Sequence, residues 1–121
     1  MPRYVDGFLI PIPKKNLAAY RRLAAATGAI WKSHGALDYV EAVGDDLLVK
    51  GMVSTFPKVT RLKRGETVCF AFITFKSRRH RDAVNKKVMA DPRLHALCTP
   101  DAMPFDFRRM NYGGFTALVD L

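Results

Sequence analysis

The sequence feature that most constrains the fold is a strand–helix–strand pattern that occurs twice. The first copy runs from Tyr4 to Gly44 and the second from Thr67 to Asp120. Two such units predict a split βαβ arrangement, in which four antiparallel strands form one sheet and both helices cover the same face. A chain of 121 residues has the length of one domain. We therefore expect residues 1–121 to form a single α+β domain with the ferredoxin-like order βαββαβ.

Hydrophobic periodicity places the elements of the first unit. Tyr4–Ile12 predicts a strand with apolar residues on both sides, which Pro11 and Pro13 should end because proline offers no backbone N–H. Lys14–His34 carries apolar residues at every third or fourth position, which is typical of an amphipathic helix. Leu37–Gly44 predicts the strand that follows this helix.

The second unit begins after a long irregular segment, Asp45–Gly65, and connections of this length are usually functional or mobile. Thr67–Lys76 is rich in β-branched and aromatic residues and predicts a strand. Ser77 is a good N-cap for a helix over Arg78–Ala90. Arg109–Asp120 predicts the last strand.

Glycines mark further positions in both units. Gly28 lies within the predicted first helix, where it indicates a close packing contact, and Gly35 is suited to the left-handed stop of that helix. The pair Gly113 and Gly114 lies within the last predicted strand. It indicates either a bulge or a close approach of another group to the backbone.

The four predicted strands carry apolar residues on both sides, although two helices can cover only one face of the sheet. An uncovered apolar face larger than a few hundred Å² is not left in water by a soluble monomer. We therefore expect a homodimer in which the bare sheet faces pack against each other.

Charge and targeting signals limit the classes of partner that the sequence allows. The net charge of +9 favours encounters with polyanions, and the basic residues are densest in Lys58–Arg64 and Arg78–Lys87. No RNA-binding motif accompanies them, so the sequence disfavours nucleic acid as a partner but leaves it open. No export signal or membrane span is evident, and Cys69 and Cys98 lie far apart in apolar settings. We expect a cytoplasmic protein with reduced thiols and no membrane partner.

Several blocks of the sequence resemble the YbaA-like bacterial family, a domain of unknown function, over nearly the whole chain. They are Tyr4–Phe8, Trp31–Leu37, Tyr39–Glu41, Lys76–Asp82, Asn85, Lys87–Met89, Asp91–Leu94, Met103–Asp106 and Tyr112–Phe115. The resemblance implies a dimeric α/β barrel, in a superfamily that includes antibiotic-biosynthesis monooxygenases, small isomerases and heme-degrading enzymes. It also implies a ligand site between the sheet and the helices, and it supplies no substrate. The apolar run Leu47–Val49 departs from the family pattern.

Three residues are candidates for acid/base chemistry. His34 lies at the end of the first helix, and a nearby Glu41 could fix its tautomer and make it a general base. The alternative is that His34 only caps the helix, where the macrodipole favours it, while Glu41 is solvated or paired with a lysine. Asp6 lies among apolar neighbours and is either a buried acid with a shifted pKa or an acceptor of local hydrogen bonds.

Three further residues are candidate ligand contacts. Trp31 could stack on a flat organic molecule, although an aromatic residue at this helical spacing more often belongs to the core. His80 begins the second helix within a basic cluster, so it could receive an anion or could simply be a solvated turn. Arg109 is expected at the start of the last strand.

The sequence contains no paired histidine or cysteine spacing typical of a metal site and no phosphate-loop or dinucleotide motif. We therefore predict neither a metal nor a cofactor. Three functions stay open: a cofactor-independent monooxygenase or isomerase acting on a small organic molecule, a ligand-binding or regulatory module without turnover, and a polyanion binder. The first of these depends on analogy between folds.

Overall fold

The computed structural model describes all 121 residues. Its strands are β1 (Tyr4–Pro13), β2 (Asp38–Val43), β3 (Glu66–Phe75) and β4 (Asn111–Thr116). Its α-helices are α1 (Leu17–Ser33), α2 (Phe56–Val59), α3 (Arg78–Met89) and α4 (Pro92–Leu97). Short 3-10 turns occupy Lys14–Asn16, Pro100–Ala102 and Phe107–Arg109.

The four strands form one antiparallel sheet in the order β2-β3-β1-β4. Helices α1 and α3 cover one face, where their apolar residues meet those of the two central strands. The larger core cluster contains Ile30 from α1, Val84 and Val88 from α3, and Ile73 and Phe75 from β3. The α+β, ferredoxin-like order βαββαβ is confirmed. None of the helices is both long enough and apolar enough to cross a membrane.

The prediction that Pro11 helps to end the first strand was wrong, because β1 pairs with β3 as far as Pro13, where the strand does end. Pairing with the other neighbour, β4, stops at Leu9. Both prolines therefore lie where β1 has a partner strand on one side only. A missing N–H is tolerated there, as it is on an edge strand.

The last strand is shorter than predicted. Arg109 does not begin it but ends a 3-10 turn, and β4 runs only from Asn111 to Thr116. Pairing of β4 with β1 is continuous, so Gly113 and Gly114 form no bulge. The alternative of a close approach is correct for Gly114, because a Cβ there would lie 2.5 Å from the Tyr4 hydroxyl.

The helix boundaries follow the predicted local signals. Gly35 takes a left-handed φ of +113° directly after the C-cap residue His34. Ser77 accepts a hydrogen bond from the backbone of His80, as an N-cap should. Gly28 packs against the ring of Tyr39, which would lie 2.6 Å from an added Cβ. This close approach holds α1 against the edge strand β2.

The other face of the sheet carries no helix comparable to α1 or α3. Alternation along the strands directs Val40, Phe70 and Phe115 to this face, and they are 39%, 48% and 63% exposed. Within the long connection between β2 and β3, Phe56 of the short helix α2 makes an edge contact with Phe70. Most of the face is otherwise apolar and open.

Candidate functional site

A cavity of about 490 Å³ lies between the helix-covered face of the sheet, helices α1, α3 and α4, and the segment that leads into β4. Seventeen of its 21 lining residues are hydrophobic. The four others are Asp6, Thr27, Glu41 and Asn85. A mostly apolar cavity with a few convergent polar groups is the usual form of a small-molecule site.

Asp6 lines the cavity and is only 1% exposed. It points to the helix side because Tyr4, Asp6 and Phe8 are two residues apart along β1 and therefore share one face of the sheet. One carboxylate oxygen accepts a hydrogen bond from Arg81 Nη1 at 3.1 Å, and the other accepts one from Asn85 Nδ2 at 3.3 Å. Both bonds are made by α3, whose residues four apart share one face. The sheet thus supplies the carboxylate and the helix orients it.

The network around Asp6 extends to two aromatic side chains. Arg81 Nη1 also donates to the hydroxyl of Tyr112 at 2.7 Å, and the indole N–H of Trp31 donates to the Asn85 side-chain oxygen at 3.0 Å. Arg81 Nε lies 2.9 Å from Asp82, but at an angle that makes no hydrogen bond. Trp31 and Tyr112 line the cavity and are fixed by the residues that hold Asp6.

Burial raises the pKa of Asp6, since removal from water disfavours the charged form. The hydrogen bond from Asn85 and the positive charge of Arg81 act in the opposite direction without cancelling this effect. A carboxyl group in this state accepts a proton at a pH closer to neutral than an ordinary aspartate does.

Glu41 occupies a second polar position in the cavity. Its oxygens accept hydrogen bonds from the Tyr20 hydroxyl at 2.6 Å and from the Tyr39 hydroxyl at 3.0 Å. The Tyr39 hydroxyl also lies 3.3 Å from the Thr27 hydroxyl. Burial raises the pKa of Glu41, and burial together with the adjacent carboxylate raises the pKa of both tyrosines. No cation balances this carboxylate.

The two carboxylates are too far apart to share a proton. Asp6 lies opposite Ile73 and Glu41 lies opposite Ala71, on the two strands that flank β3. Strand spacing and rise then separate their Cα atoms by about 12 Å. Asp6 and Glu41 are therefore two separate polar groups of one apolar cavity.

The predicted partnership of His34 with Glu41 was wrong. His34 Nε2 lies 2.7 Å from Asp91 Oδ2 at the N-terminus of α4, and His34 does not line the cavity. Asp91 is in turn held by Arg93, whose guanidinium also donates to Ser33. The alternative interpretation of His34 as a residue at the helix C-cap matches this placement.

Of the three predicted ligand contacts, one lies in the cavity and two lie outside it. Trp31 lines the cavity, whereas His80 and Arg109 do not. His80 Nδ1 accepts a hydrogen bond from the backbone of Lys76, which ties the ring to the start of α3. Arg109 Nη1 donates to Glu66 at 2.6 Å and anchors the segment before β4.

The residues that the sequence analysis did not place in the site are Arg81, Asn85, Tyr20 and Tyr112. Arg81 carried a usable signal, since it lies on the inward stripe of α3 in a domain whose first strand holds an inward aspartate. An arginine on the buried side of a helix needs a carboxylate partner. Tyr20 also lies on an inward stripe, but its hydroxyl partner Glu41 is on another element, which periodicity does not reveal.

One wall of the cavity is formed by the segment between α4 and β4. Phe105 packs edge-on against Tyr20 with ring centroids 5.7 Å apart and stacks on Phe107 at 5.5 Å. The side chain of Asn16 holds this segment by donating to the Pro104 carbonyl at 2.9 Å. The segment is therefore fastened to the start of α1 on one side and, through Arg109, to β3 on the other.

A wider groove of about 1010 Å³ runs along the surface between α1 and the edge strand β2. Tyr20, Tyr39 and Glu41 line both this groove and the inner cavity. Cys69 also borders the groove, and burial raises its pKa to about 11, so it is not an activated nucleophile. No three histidine, cysteine or acidic side chains lie close enough together to hold a metal ion.

Comparison with known families and curated proteins gives a consistent result. The model of the DUF1428 family, described as a protein of unknown function, matches residues 3–107. The uncharacterized protein YbaA of Escherichia coli strain K12 is 39% identical over 118 residues, which cover 98% of each chain.

Three solved structures share the fold at low sequence identity. A mutant of SnoaB, a cofactor-independent oxygenase from Streptomyces nogalater, aligns with a TM-score of 0.64 at 16% identity and covers 100% of this chain and 98% of its own. A dimeric ferredoxin-like protein from an uncultured marine organism aligns with a TM-score of 0.64 at 10% sequence identity, and the alignment covers 100% of both chains. An uncharacterized NIPSNAP domain protein from Burkholderia xenovorans aligns with a TM-score of 0.54 at 12% sequence identity, and the alignment covers 93% of this chain and 91% of that protein. At these identities the likeness shows the fold alone.

Proposed function

We propose that this chain, which belongs to the DUF1428 family, binds a small organic molecule in the cavity between sheet and helices and uses Asp6 to accept a proton from it. The observation that carries this proposal is a carboxylate, 1% exposed, that lines a mostly apolar cavity of about 490 Å³ and is oriented by two side chains of one helix. Polar groups placed in this way are characteristic of acid/base sites.

The proposed chemistry needs no bound cofactor. Asp6 takes a proton from an acidic O–H or C–H group, and the electron pair stays on the substrate. The resulting anion has two possible fates. It adds to O2, which accepts the electron pair and, with the proton from Asp6, gives a substrate hydroperoxide that loses water to leave a carbonyl group. Otherwise it takes the proton back at another atom, which is an isomerisation. Arg81 favours the charged form of Asp6 and orients it. The similarity in fold to SnoaB, a cofactor-independent oxygenase, supports the first outcome.

Binding without turnover is the second candidate function. One observation favours it: each oxygen of Asp6 already accepts a hydrogen bond from the protein, Arg81 on one side and Asn85 on the other. A carboxylate held in this way can also serve only to fix α3 on the sheet. In that case the cavity still binds the molecule, but no proton moves.

We also propose that the protein acts as a homodimer through its open sheet face. The support is the exposure of Val40, Phe70 and Phe115 on that face, together with the dimeric state of one ferredoxin-like neighbour. Neither α1 nor α3 can cover this face, because both pack on the other one. The residues at the cavity belong to the helix side, so each subunit would hold its own site.

The experiment begins with the compound that native protein retains on purification, identified by mass spectrometry after extraction. The protein is then incubated with that compound in D2O and, separately, under ¹⁸O2. We expect the compound to gain deuterium or ¹⁸O in the presence of the wild-type protein. The Asp6→Asn variant should bind the compound but leave its mass unchanged.

The matched control is Asp101→Asn, which removes an exposed carboxylate that does not line the cavity. This variant should behave as the wild type. If the wild-type protein binds the compound and never changes its mass, the catalytic part of the proposal is wrong and the binding function is retained. If no compound occupies the cavity, both functions are wrong.

A further inference from the structure

The charge of the cavity wall differs from that of the whole chain. Lysine and arginine make up 20 of the 121 residues, yet none of the 21 residues that line the cavity is a lysine, arginine or histidine. The nearest guanidinium, Arg81, is already paired with Asp6 and also donates to Tyr112. An anionic ligand group would find no free cation there, although the protein as a whole is strongly basic.

The unused hydrogen-bonding capacity of the cavity is mostly of the acceptor type. A carboxylate can accept about four hydrogen bonds. Asp6 accepts two from Arg81 and Asn85, and Glu41 accepts two from Tyr20 and Tyr39. Both carboxylates therefore keep free lone pairs. A ligand that brings O–H donors satisfies these lone pairs, whereas a ligand with only acceptors leaves them unpaired in an apolar site.

The aromatic part of the cavity wall suits a flat apolar body. The ring centroids of Trp31 and Tyr39 lie 6.2 Å apart, with an angle of 37° between the ring planes. Those of Phe8 and Tyr112 lie 5.0 Å apart, with an angle of 32°. All four rings line the cavity. Offset and tilted aromatic faces of this kind pack well against another aromatic ring.

We infer that the ligand is an uncharged, largely aromatic molecule with hydroxyl groups toward both ends, which donate to Asp6 and Glu41, and that the cavity rejects the corresponding carboxylates. This inference rests on the proposed function and assigns its substrate class. It also gives Glu41 a role in recognition that is separate from proton transfer at Asp6. The hydroxyl at Asp6 is then the group that loses a proton.

The test compares three probes with the same naphthalene body: 2,6-dihydroxynaphthalene, 2,6-naphthalenedicarboxylate and 2,6-dimethylnaphthalene. Binding is measured at pH 7 by calorimetry and by quenching of Trp31, the single tryptophan of the chain. We expect the diol to bind at least about tenfold more tightly than the dicarboxylate, because two like-charge contacts are avoided. In Glu41→Gln and in Asp6→Asn this ratio should fall several-fold, and in the control Asp101→Asn, an exposed carboxylate outside the cavity, it should not change.

Each other result has one meaning. Equal affinity for the diol and the dicarboxylate, or tighter binding of the dicarboxylate, overturns the inference and leaves the proposed function in place. The same holds if only the dimethyl compound binds. If none of the three probes quenches Trp31 or produces heat, the cavity is not a small-molecule site, and the proposed function fails with the inference. Because the comparison among probes is made on the wild-type protein, it does not depend on a variant that folds poorly.

Discussion

The Asp6 carboxylate and the Arg81 guanidinium, 75 positions apart in the chain, meet at 3.1 Å between β1 and α3. Arg81 is 14% exposed and Asp6 only 1%, so the pair is largely withdrawn from water. A pair of this kind contributes little net stability by itself, but the loss of one partner leaves a buried charge. The contact therefore links the packing of α3 to the state of the carboxylate in the cavity.

Replacing Arg81 by methionine should destabilise the protein by roughly 3 kcal/mol at pH 7, because Asp6 then has no cation beside it. The pKa of Asp6, already raised by burial, should rise further in this variant. An acid whose pKa is raised in the folded state loses stability as the pH increases through that pKa. The difference in unfolding free energy between the wild type and the variant should therefore be smaller when urea unfolding is repeated at pH 5. A deficit that is the same at both pH values would show that lost packing, and not charge, is the cause.

Gly28→Ala should destabilise the protein despite the better helix propensity of alanine. The propensity gain is about 1 kcal/mol. An added Cβ would lie 2.6 Å from the ring of Tyr39, and overpacking of this kind costs about 1–3 kcal/mol. Chemical denaturation of Gly28→Ala, of Tyr39→Val and of the double variant measures the coupling. In the Tyr39→Val background the alanine should be neutral or stabilising, and an unchanged penalty would refute the contact. The control Ala25→Gly, at an exposed position of α1, should lose only about 1 kcal/mol.

Asp91→Asn should lower the Tm at neutral pH while the N-cap of α4 is retained. Asparagine still accepts the backbone hydrogen bond of Arg93, but the ionic contact with Arg93 is lost and the hydrogen bond with His34 is weakened. These contacts hold the pKa of Asp91 well below its usual range. A lowered folded-state pKa gives stability that is present above the unfolded value, near 3.9, and is lost as the pH falls toward the folded one. The Tm of the wild type should thus exceed that of Asp91→Asn by a constant amount from pH 7 to about pH 5, and this difference should shrink below about pH 4. A difference that persists undiminished at pH 2–3 would contradict this origin.

The wild-type protein should have twice the 13.6 kDa mass of one chain in multi-angle light scattering at micromolar concentration. Phe70→Glu places a charge on the open sheet face and should shift the protein to the monomer. Leu97→Glu, on α4 at 37% exposure, is the matched control on the helix side and should stay dimeric. A well-folded wild-type particle of 13.6 kDa would contradict the dimer.

Much of the fold could be predicted from the sequence because its signals are local. Periods of two and of three to four residues gave the order of elements and the side of each element that faces the core. Ser77 and Gly35 marked helix boundaries correctly because capping depends on neighbouring residues only. Pro11 was misjudged because its tolerance depends on how far β4 extends along β1, which is a property of the sheet.

The site was predictable to the same extent. The alternation of β1 directed Asp6 toward the helices, and the stripe of α1 directed Trp31 inward, so both were named from the sequence and both line the cavity. The partners were not predictable: His34 meets Asp91 and not Glu41, and Glu41 meets Tyr20.

What the chain determined by itself is therefore the succession of elements, their buried faces and their ends, since these follow from side chains within a few positions of one another. The tertiary structure decided which faces meet and at what register, and with that which carboxylate is held by an arginine and which by two tyrosines. The physical reason is that the charge state of a buried group depends on neighbours in space and on exclusion of water, and neither is set until the helices dock on the sheet.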